Sequence, residues 1–587
     1  MEISIHQNAT TIGIVRPEFI STTLDWWHRK SVAWGNSSVI HADLTHPNLI
    51  AAARGLSPLF IRIGGSFADI AIYNMSTSNT SNLVEEAVTT TDRFATACDR
   101  NRQLCLTMQR WDEILNFAHD VGARIFFTLS YIQHTRDESG ENDQQDWDST
   151  NARQLLQYTA QSKYANTVYG FELGNELTHK HKIQNITRLV NAYEELRHII
   201  DETWSSANNN GKTKPKILGP ASIGPSQTTK LLKALGSRID IATYHKYHGG
   251  GKDPNLVQFA KGTSIIQHPT NFHELSNAVN KYMDKPEVWI GEGAMAFNSG
   301  RQNITDSFVG SFWFTNLLGA ISKSRPHTVY CRQALVGGYY ELISHETMKA
   351  MPDYWIAHLW KKLVGTKVIG PIISPSREDS PDEYTFGCCE GPGYDTLLIH
   401  TFCAKEESSN PIFIITNIDK KSPFSLNITV PATHITKYIL TGKDGRRDSR
   451  SVLLNGNHLL TIDNGKLPEI VGEDTDDLVV TLPPVSIAFV VVHGFQVDEC
   501  VPPLVAAVNG TSQIDYSSSL STEEQRQVSS DGHVPFIASE SERHHPVTFH
   551  EVQQLAFAQL LVAVVFFMFI FFLRKRIRKS RQITVSS

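Results

Sequence analysis

The sequence lacks the patterns that mark several common classes of protein. Its seven cysteines show no metal-ligand spacing, and no glycine-rich phosphate loop occurs, because the glycines at 249–251 have neither the spacing nor the following Lys-Ser/Thr. The chain also has no basic excess: 54 Lys and Arg stand against 60 Asp and Glu, a net charge of −6. We therefore expect no metal, no cofactor and no nucleic-acid partner. The sequence does not indicate whether the protein is a monomer or an oligomer.

One long apolar run is present, near the C-terminus. Residues 555–573 are 19 almost uninterrupted apolar residues, which as a helix would span roughly 28 Å, enough for a bilayer core. A basic run at 574–581 follows directly, and such runs stay in the cytoplasm. We predict a single transmembrane helix at 555–573 and a cytoplasmic tail at 574–587. The body then faces the lumen or the exterior, at the cell surface, in a lysosome or in another secretory-pathway membrane.

Eight Asn-X-Ser/Thr sequons agree with that side of the membrane. The start of the chain has neither a basic nor an apolar leader region, and we favour the interpretation that a signal peptide precedes it. In an oxidising compartment the odd number of cysteines predicts one or two disulfides and at least one free thiol. The predicted glycosylation sites are Asn8, Asn36, Asn74, Asn79, Asn185, Asn303, Asn427 and Asn509.

Short apolar segments alternate with amphipathic stretches through the first 364 residues. Most of these segments lack strict alternation, which is typical of strands buried on both faces. Eight strand–helix units in about 340 residues predict an α/β fold, a (β/α)₈ TIM barrel at 15–364. A doubly wound open sheet is the alternative. The eight predicted strands are 19–24, 59–63, 124–129, 168–173, 216–219, 239–244, 287–292 and 328–333.

The pattern changes after residue 364. Short β-like runs with turn signals between them predict a C-terminal β-sandwich at 365–500, which a strand from the first 15 or so residues could join. Residues 501–554 are rich in Ser, Glu and His and show no apolar period, so we predict a flexible stalk.

Two glutamates stand at the ends of predicted strands four and seven. Glu176 follows Gly-Asn directly after one apolar run, and Glu292 follows Gly after another. In a barrel these positions face each other across the mouth. Such a pair fits glycosidic hydrolysis, with one carboxyl protonated to release the leaving sugar and one ionised to attack. The alternative is two ordinary solvated or salt-bridged glutamates. Asn175 could bond a sugar hydroxyl, and Tyr247 could orient the attacking carboxylate.

Over roughly residues 15–500 the chain resembles glycoside hydrolase family 79, the group of heparanases and β-glucuronidases. Short motifs such as Gly-Asn-Glu are shared by many barrels, but the ordered set is much more selective. The matching stretches are Ala53-Arg-Gly-Leu-Ser-Pro58, Ile61-Arg-Ile-Gly-Gly65, Gly174-Asn-Glu176, Trp289-Ile-Gly-Glu292, Cys331-Arg-Gln333, Gly337-Gly-Tyr-Tyr340 and Pro352-Asp-Tyr-Trp355.

The resemblance implies a retaining enzyme that cleaves β-glucuronidic linkages in glycans or glycoconjugates, acting in chain interiors or at chain ends. It makes Glu176 the acid/base and Glu292 the nucleophile, with a disulfide between Cys403 and Cys500. Further residues that it implies near the substrate are Tyr247 beside the nucleophile, Asp25, Ser66 and Asn175 on sugar hydroxyls, and Tyr340 with Phe297, Asn298, Ser299 and Gly300 on the uronic carboxylate.

Two lysines and one histidine near the predicted site need an interpretation, and the function itself has competing alternatives. Lys180 and Lys182 lie in the predicted loop after Glu176, and we interpret them either as solvent-facing contacts to flanking anionic sugars or as incidental lysines. His245 has no second histidine at metal spacing, so we interpret it as structural. The competing functions are a catalytically inactive membrane-bound receptor for glycans and a retaining glycosidase for neutral sugars.

Overall fold

The computed structural model describes residues 2–27, 31–75, 98, 104–132, 146–180, 183, 185–205, 211–262, 265, 272–373, 396–406 and 409–501. Within these residues no helix is both long and apolar enough to cross a membrane. The predicted transmembrane helix and tail, and all but the first residue of the predicted stalk, lie outside the described residues.

Strands and helices are numbered in chain order. The strands are β1 (Glu2–Ile14), β2 (Ile20–Thr23), β3 (Leu59–Ile63), β4 (Ile72–Asn74), β5 (Cys105–Thr107), β6 (Ala123–Leu129), β7 (Val168–Leu173), β8 (Lys216–Ile223), β9 (Ile241–Gly250), β10 (Val288–Phe297), β11 (His327–Arg332), β12 (Val364–Ile373), β13 (Leu397–Ala404), β14 (Pro411–Asn417), β15 (Phe424–Ile428), β16 (His434–Gly442), β17 (Val452–Leu454), β18 (His458–Leu459), β19 (Glu473–Thr475), β20 (Val479–Leu482) and β21 (Ser486–His493). The helices are α1 (Pro47–Gly55), α2 (Met108–Asp120), α3 (Thr150–Gln161), α4 (Leu177–Lys180), α5 (Ile186–Trp204), α6 (Gly224–Leu235), α7 (Asn255–Lys261), α8 (His273–Tyr282), α9 (Phe308–Ser322) and α10 (Pro352–Leu363).

Eight parallel strands close into a barrel. They pair in the order β2, β3, β6, β7, β8, β9, β10 and β11, and β11 returns to β2. Strand β3 is buried at every position, because the barrel interior covers one face and the surrounding helices cover the other. This double burial explains the missing alternation in the sequence, and the predicted (β/α)₈ barrel is confirmed.

Two barrel strands run further than the sequence indicated. The predicted strand at 287–292 ends at Glu292, but β10 continues to Phe297, and β9 continues to Gly250 beside it. The extensions pair with each other, with Glu292 opposite His245 and Phe297 opposite Gly250. Glu292 therefore lies inside a strand whose backbone hydrogen bonds hold it on both sides, and not at a strand end.

The C-terminal strands form one continuous sheet of eleven strands. Ten of them run in the order β18, β17, β16, β21, β14, β13, β12, β1, β15 and β20, and β19 pairs with β16. The sequence analysis predicted a β-sandwich that a strand from the first 15 or so residues could join. The N-terminal strand β1 does join this sheet, because it pairs antiparallel with β12 and parallel with β15.

The sheet packs against the barrel with one of its faces. Along β13, Leu398 and Phe402 belong to the large core shared with the barrel, whereas Leu397 and Ile399 belong to a separate core inside the folded sheet. This alternation is what a strand buried on two sides between different partners requires. Trp360 at the end of α10 fills the junction, with its ring 5.0 Å from that of Phe402.

Among the described cysteines, four form two disulfides and one is a free thiol. Disulfides join Cys403 to Cys500 and Cys98 to Cys105, and Cys331 is a buried thiol. Cys388 and Cys389 lie outside the described residues, as do the sequons at Asn79 and Asn509. Asn74 is half-buried, and the sequon asparagines that are exposed are Asn8, Asn36, Asn185, Asn303 and Asn427.

The junction between barrel and sheet can be tested with Trp360→Ala. The ring is 3% exposed and contacts rings of the barrel and of the sheet, so its removal should lower the free energy of unfolding by about 3–5 kcal/mol. Urea unfolding followed by circular dichroism measures this. Leu459→Ala is the control, since Leu459 is 44% exposed and should cost less than about 0.5 kcal/mol. Equal losses in both variants would contradict the assigned role of Trp360.

Candidate active site

The carboxyl ends of the barrel strands carry most of the polar side chains that the sequence analysis singled out. In a parallel barrel these ends meet at one face, which is where enzymes of this architecture place their active sites. In barrel order the residues are Asp25 after β2, Ser66 after β3, Asn175 and Glu176 after β7, Tyr247 in β9, Glu292 in β10 and Tyr340 after β11.

Glu176 is held in a fixed position between β7 and α4. Its backbone has a φ of 54°, and its N–H donates to the carbonyl of Ala221 at 3.0 Å. One carboxylate oxygen shares a 2.7 Å hydrogen bond with Nδ1 of His245, and the other lies 3.0 Å from Nζ of Lys180. Burial alone would raise the pKa of Glu176, but the hydrogen bonds and charges of His245 and Lys180 outweigh it and lower that pKa.

Glu292 is buried and bonded through both of its carboxylate oxygens. The hydroxyl of Tyr247 donates to one oxygen at 2.5 Å, and Nη1 of Arg62 donates to the other at 2.9 Å. Burial raises the pKa of Glu292, while the electrostatic influence of His245 and of Arg62 lowers it, with a net result below the ordinary value. The carboxylate is therefore held ionised. The expectation from sequence that Tyr247 orients this group agrees with the geometry.

The two carboxylates lie close together. One oxygen of Glu176, one oxygen of Glu292 and a ring nitrogen of His245 are all within 4.8 Å of one another. Such a trio could also bind a cation, but Arg62 and Lys180 already donate to these carboxylates, and their charge opposes a further cation. Histidine 245, interpreted from sequence as structural, thus belongs to the site.

A buried ion network beneath the site was only partly visible in the sequence. Arg62 donates to Glu172 through Nε at 2.8 Å, to Glu292, and to Oδ1 of Asn175 through Nη2 at 2.9 Å. Glu172 also accepts from the hydroxyls of Thr128 and Thr243. The sequence analysis did not single out Glu172. The sequence did contain a signal for this ion pair, because the apolar strands β3 and β7 each include one charged residue, Arg62 and Glu172. Buried charges of this kind occur in pairs.

Arg332 has a different partner from Arg62. It lies at the end of β11, and its Nη2 is 2.6 Å from the carboxylate of Asp353 in α10. Arg332 therefore balances the buried charge of Asp353 and does not contact either of the two site glutamates.

Several buried polar atoms of the site have no hydrogen-bond partner within the described part of the chain. They are Oδ1 of Asp25, Nδ2 of Asn175 and Nε2 of His245. The other oxygen of Asp25 accepts from Gln333 at 2.9 Å. Burial and the charge of Glu292 raise the pKa of Asp25 well above its ordinary value. Because unpaired buried polar atoms are costly, this set fits a ligand that brings its own donors and acceptors, as a sugar does.

The loop 297–300 borders the site beside Tyr340. Asn298, Ser299 and Gly300 all have positive φ, and the carbonyl of Ser299 accepts from the N–H of Tyr339 at 2.7 Å. The hydroxyl of Ser299 accepts from Nε1 of Trp34 at 2.9 Å. The phenolic oxygen of Tyr340 lies 3.4 Å from Nε2 of Gln333. Phe297 is 46% exposed. The predicted uronate-binding residues therefore do lie together.

The position of Lys180 corrects one expectation. The sequence analysis placed it facing solvent, in contact with flanking sugars. Its ammonium instead lies between Glu176 and Ser66 and donates to the Ser66 hydroxyl at 2.7 Å. The reason is local: α4 begins directly after Glu176, so residues 176 and 180 are one helical turn apart on the same face. Lys182 lies outside the described residues.

Comparison with known proteins places the chain among relatives of similar length. Residues 1–319 match the model of "Glycosyl hydrolase family 79, N-terminal domain". The chain is 30% identical over 526 residues to heparanase-like protein 1 of Arabidopsis thaliana, covering 84% of this chain and 94% of that protein. It is 27% identical over 490 residues to baicalin-β-D-glucuronidase of Scutellaria baicalensis, covering 77% and 84%.

A solved structure supports the fold alone. The 4-O-α-L-rhamnosyl-β-D-glucuronidase of Fusarium oxysporum 12S matches with a TM-score of 0.53 at 14% identity, over 84% of this chain and 100% of that chain. The family model covers more than half of the present chain, and the similarity to the Arabidopsis protein extends over most of its length. The chain therefore belongs to glycosyl hydrolase family 79 and is a glycoside hydrolase.

Proposed function

We propose that the protein is a retaining β-glucuronidase that cleaves β-glucuronidic linkages by double displacement. The observation that carries the proposal is the spacing of Glu176 and Glu292, whose oxygens approach within 4.8 Å. Retaining glycosidases hold their carboxyls about 5–5.5 Å apart, whereas inverting enzymes leave about 6.5–9.5 Å for a water molecule.

The roles of the two carboxylates follow from their partners. Glu292, kept ionised by Arg62 and oriented by Tyr247, attacks the anomeric carbon and forms a glycosyl–enzyme ester. Glu176 gives its proton to the departing oxygen, so that the glycosidic bond breaks with a neutral leaving group. In the second step Glu176 takes a proton from water, the hydroxide oxygen attacks the anomeric carbon, and Glu292 is released.

The preference for a uronic acid rests on Tyr340 and the loop 297–300. Within the described residues, no acceptor takes the backbone N–H groups of Ser299 and Gly300, and such groups bind a carboxylate well. Asp25 and Asn175, with their unpaired atoms, would hold the sugar hydroxyls. The names of the relatives, among them heparanase and baicalin-β-D-glucuronidase, also support a glucuronide substrate. Internal and terminal cleavage both fit this site.

Two other functions remain as alternatives. The mouse and human relatives named inactive heparanase-2 make a glycan receptor the second candidate, and a glycosidase for neutral sugars is the third. The presence of both Glu176 and Glu292, each with the partners that an active pair needs, favours an enzyme over a receptor. A panel of aryl glycosides separates the three, since a receptor turns over none of them and a neutral-sugar enzyme prefers the glucosides or galactosides.

For location, we propose a single-pass membrane protein whose catalytic domain is lumenal or extracellular. The support is the apolar run at 555–573 with its basic flank, together with exposed sequon asparagines such as Asn8, Asn36 and Asn427.

The first prediction concerns the two glutamates. Glu292→Gln should lower kcat/KM on every aryl glucuronide by about 10⁴-fold or more, because it removes the nucleophile. Glu176→Gln should lose about 10²–10⁴-fold on substrates with poor leaving groups and much less on activated ones, whose leaving groups need little protonation. Steady-state kinetics on a series of phenols measures both. Equal losses for Glu176→Gln across the series would remove its role as the acid.

The second prediction concerns stereochemistry. Because the carboxylates are too close to admit a water molecule between them and the sugar, the first-formed free glucuronic acid should have the β configuration. Proton NMR recorded within the first minutes of hydrolysis, before mutarotation, distinguishes the two anomers. An initial α anomer would show an inverting enzyme and overturn the proposed mechanism.

The third prediction concerns the uronate. Tyr340→Phe removes a hydroxyl that in this proposal donates to the substrate carboxylate, a bond to a charged group worth about 1.5–3 kcal/mol. We therefore expect kcat/KM on an aryl glucuronide to fall about 10–100-fold, with little change on the matched aryl glucoside. Tyr339→Phe is the control, because no described residue bonds its hydroxyl. A similar loss on both sugars would mean that Tyr340 supports Gln333 and not the uronate.

A further inference from the structure

We propose that Lys180 is a positioning residue that keeps Glu176 ionised in the free enzyme and thereby confines the first half-reaction to acidic pH. This inference rests on the proposed retaining mechanism, in which Glu176 must be protonated in the first step and ionised in the second. The geometry that carries it is the placement of the Lys180 ammonium, 3.0 Å from Oε2 of Glu176 and 2.7 Å from Oγ of Ser66.

The two oxygens of Glu176 have different neighbours. Oε1 shares its hydrogen bond with His245, and Oε2 receives the ammonium of Lys180. A leaving group that takes a proton from Glu176 must approach one of these oxygens. Lys180 occupies the position where a proton on Oε2 would lie, so the ion pair and the protonated acid exclude each other.

Ser66 gives the ammonium a second place to bind. Because Nζ donates to the Ser66 hydroxyl as well as to Glu176, a small movement can release the carboxylate while the lysine keeps one partner. The side chain of Lys180 is 33% exposed, so the released charge also reaches solvent. Protonation of Glu176 therefore does not require burying an unpaired ammonium.

The other charged groups around Glu176 do not replace this lysine. Glu292 faces it from β10 and opposes its ionisation, while Arg62 is already bonded to Glu172 and Glu292. His245 acts in the same direction as Lys180. Together the hydrogen bonds and charges of His245 and Lys180 hold the pKa of Glu176 below its ordinary value despite burial. The remaining groups near the pair are Asp25 after β2 and Asp69 after β3.

The charge of Lys180 lowers the pKa of Glu176 and so affects the pH at which the first step is lost. The first step needs protonated Glu176, and a lowered pKa means that this form is lost at a lower pH. Replacing Lys180 by a neutral residue raises the pKa, so the fall of kcat/KM on the alkaline side should move to higher pH. An opposite charge at this distance shifts the pKa of a carboxyl by about 1–3 pH units. At pH values above the alkaline limb of the wild type, kcat/KM of the variant should therefore be about tenfold or more higher than that of the wild type.

The experiment compares four full-length proteins: wild type, Lys180→Met, Lys180→Arg and Lys252→Met. Lys252 is an exposed lysine in the turn after β9, on the same face of the barrel, and serves as the matched control. The pH dependence of kcat/KM is measured with phenyl glucuronide, whose leaving group needs protonation. We expect the alkaline limb to move up by about one unit or more in Lys180→Met alone, and to stay in place in Lys180→Arg and Lys252→Met.

An unchanged limb in folded, active Lys180→Met would overturn the proposal, as would an equal shift in Lys252→Met. Thermal unfolding checks that each variant is folded, and Lys180→Gln replaces the methionine variant if that one is not. Titration of the glutamate carboxyls by ¹³C NMR measures the protonation of Glu176 directly and needs no turnover. The Glu176→Gln variant identifies the Glu176 signal. If wild type cleaves no glucuronide, the proposed function fails, and this titration alone decides the role of Lys180: a Glu176 signal that titrates at the same pH in wild type and in Lys180→Met overturns it.

Discussion

The active face depends on one buried cation. Arg62 is fully buried in β3 and donates to Glu172 in β7, to Asn175 just after β7 and to Glu292 in β10. Without it, the buried carboxylates of Glu172 and Glu292 would lack their cationic partner, an arrangement that costs several kcal/mol. The charges of Glu172 and Glu292 raise the pKa of Arg62 despite its burial, so the guanidinium stays charged and helps to keep Glu292 ionised.

The barrel makes this arrangement rigid. Arg62 lies inside β3 and Glu172 inside β7, and both are held by the hydrogen bonds of neighbouring parallel strands. The extension of β9 and β10 beyond the barrel rim then places Tyr247 and Glu292 on paired backbone. A carboxylate fixed in this way, which is the nucleophile in the proposed mechanism, needs little reorganisation during reaction. Such preorganisation is the main source of electrostatic stabilisation in enzymes. The eleven-stranded sheet stiffens the same barrel from outside, through contacts such as Trp360 against Phe402.

The sequence predicted the barrel and the two glutamates, because both leave local signals. Doubly buried strands show as unbroken apolar runs, and a carboxylate placed directly after such a run is conspicuous, as at Glu176. The contacts between distant segments leave no such signal. The path of β1 from β15 to β12 depends on pairing across more than 350 residues. The partnership of His245 with Glu176, and of Lys180 with Ser66, follows from where strand ends meet in space. For Lys180 a helical turn begins at Leu177, where the sequence had predicted a loop.

The distribution of charge links substrate binding to protonation. The cations Arg62 and Lys180 face the three carboxylates of Glu172, Glu176 and Glu292, while the raised pKa of Asp25 favours its neutral form. A glucuronate bound as proposed adds a further negative charge beside Glu292. Among buried carboxylates that charge is best balanced by uptake of a proton, and Glu176 is the carboxylate whose partner, Lys180, can move to Ser66 and solvent. The anionic substrate would then promote the protonation that its own cleavage requires, whereas a neutral sugar of the same shape would bring no such charge.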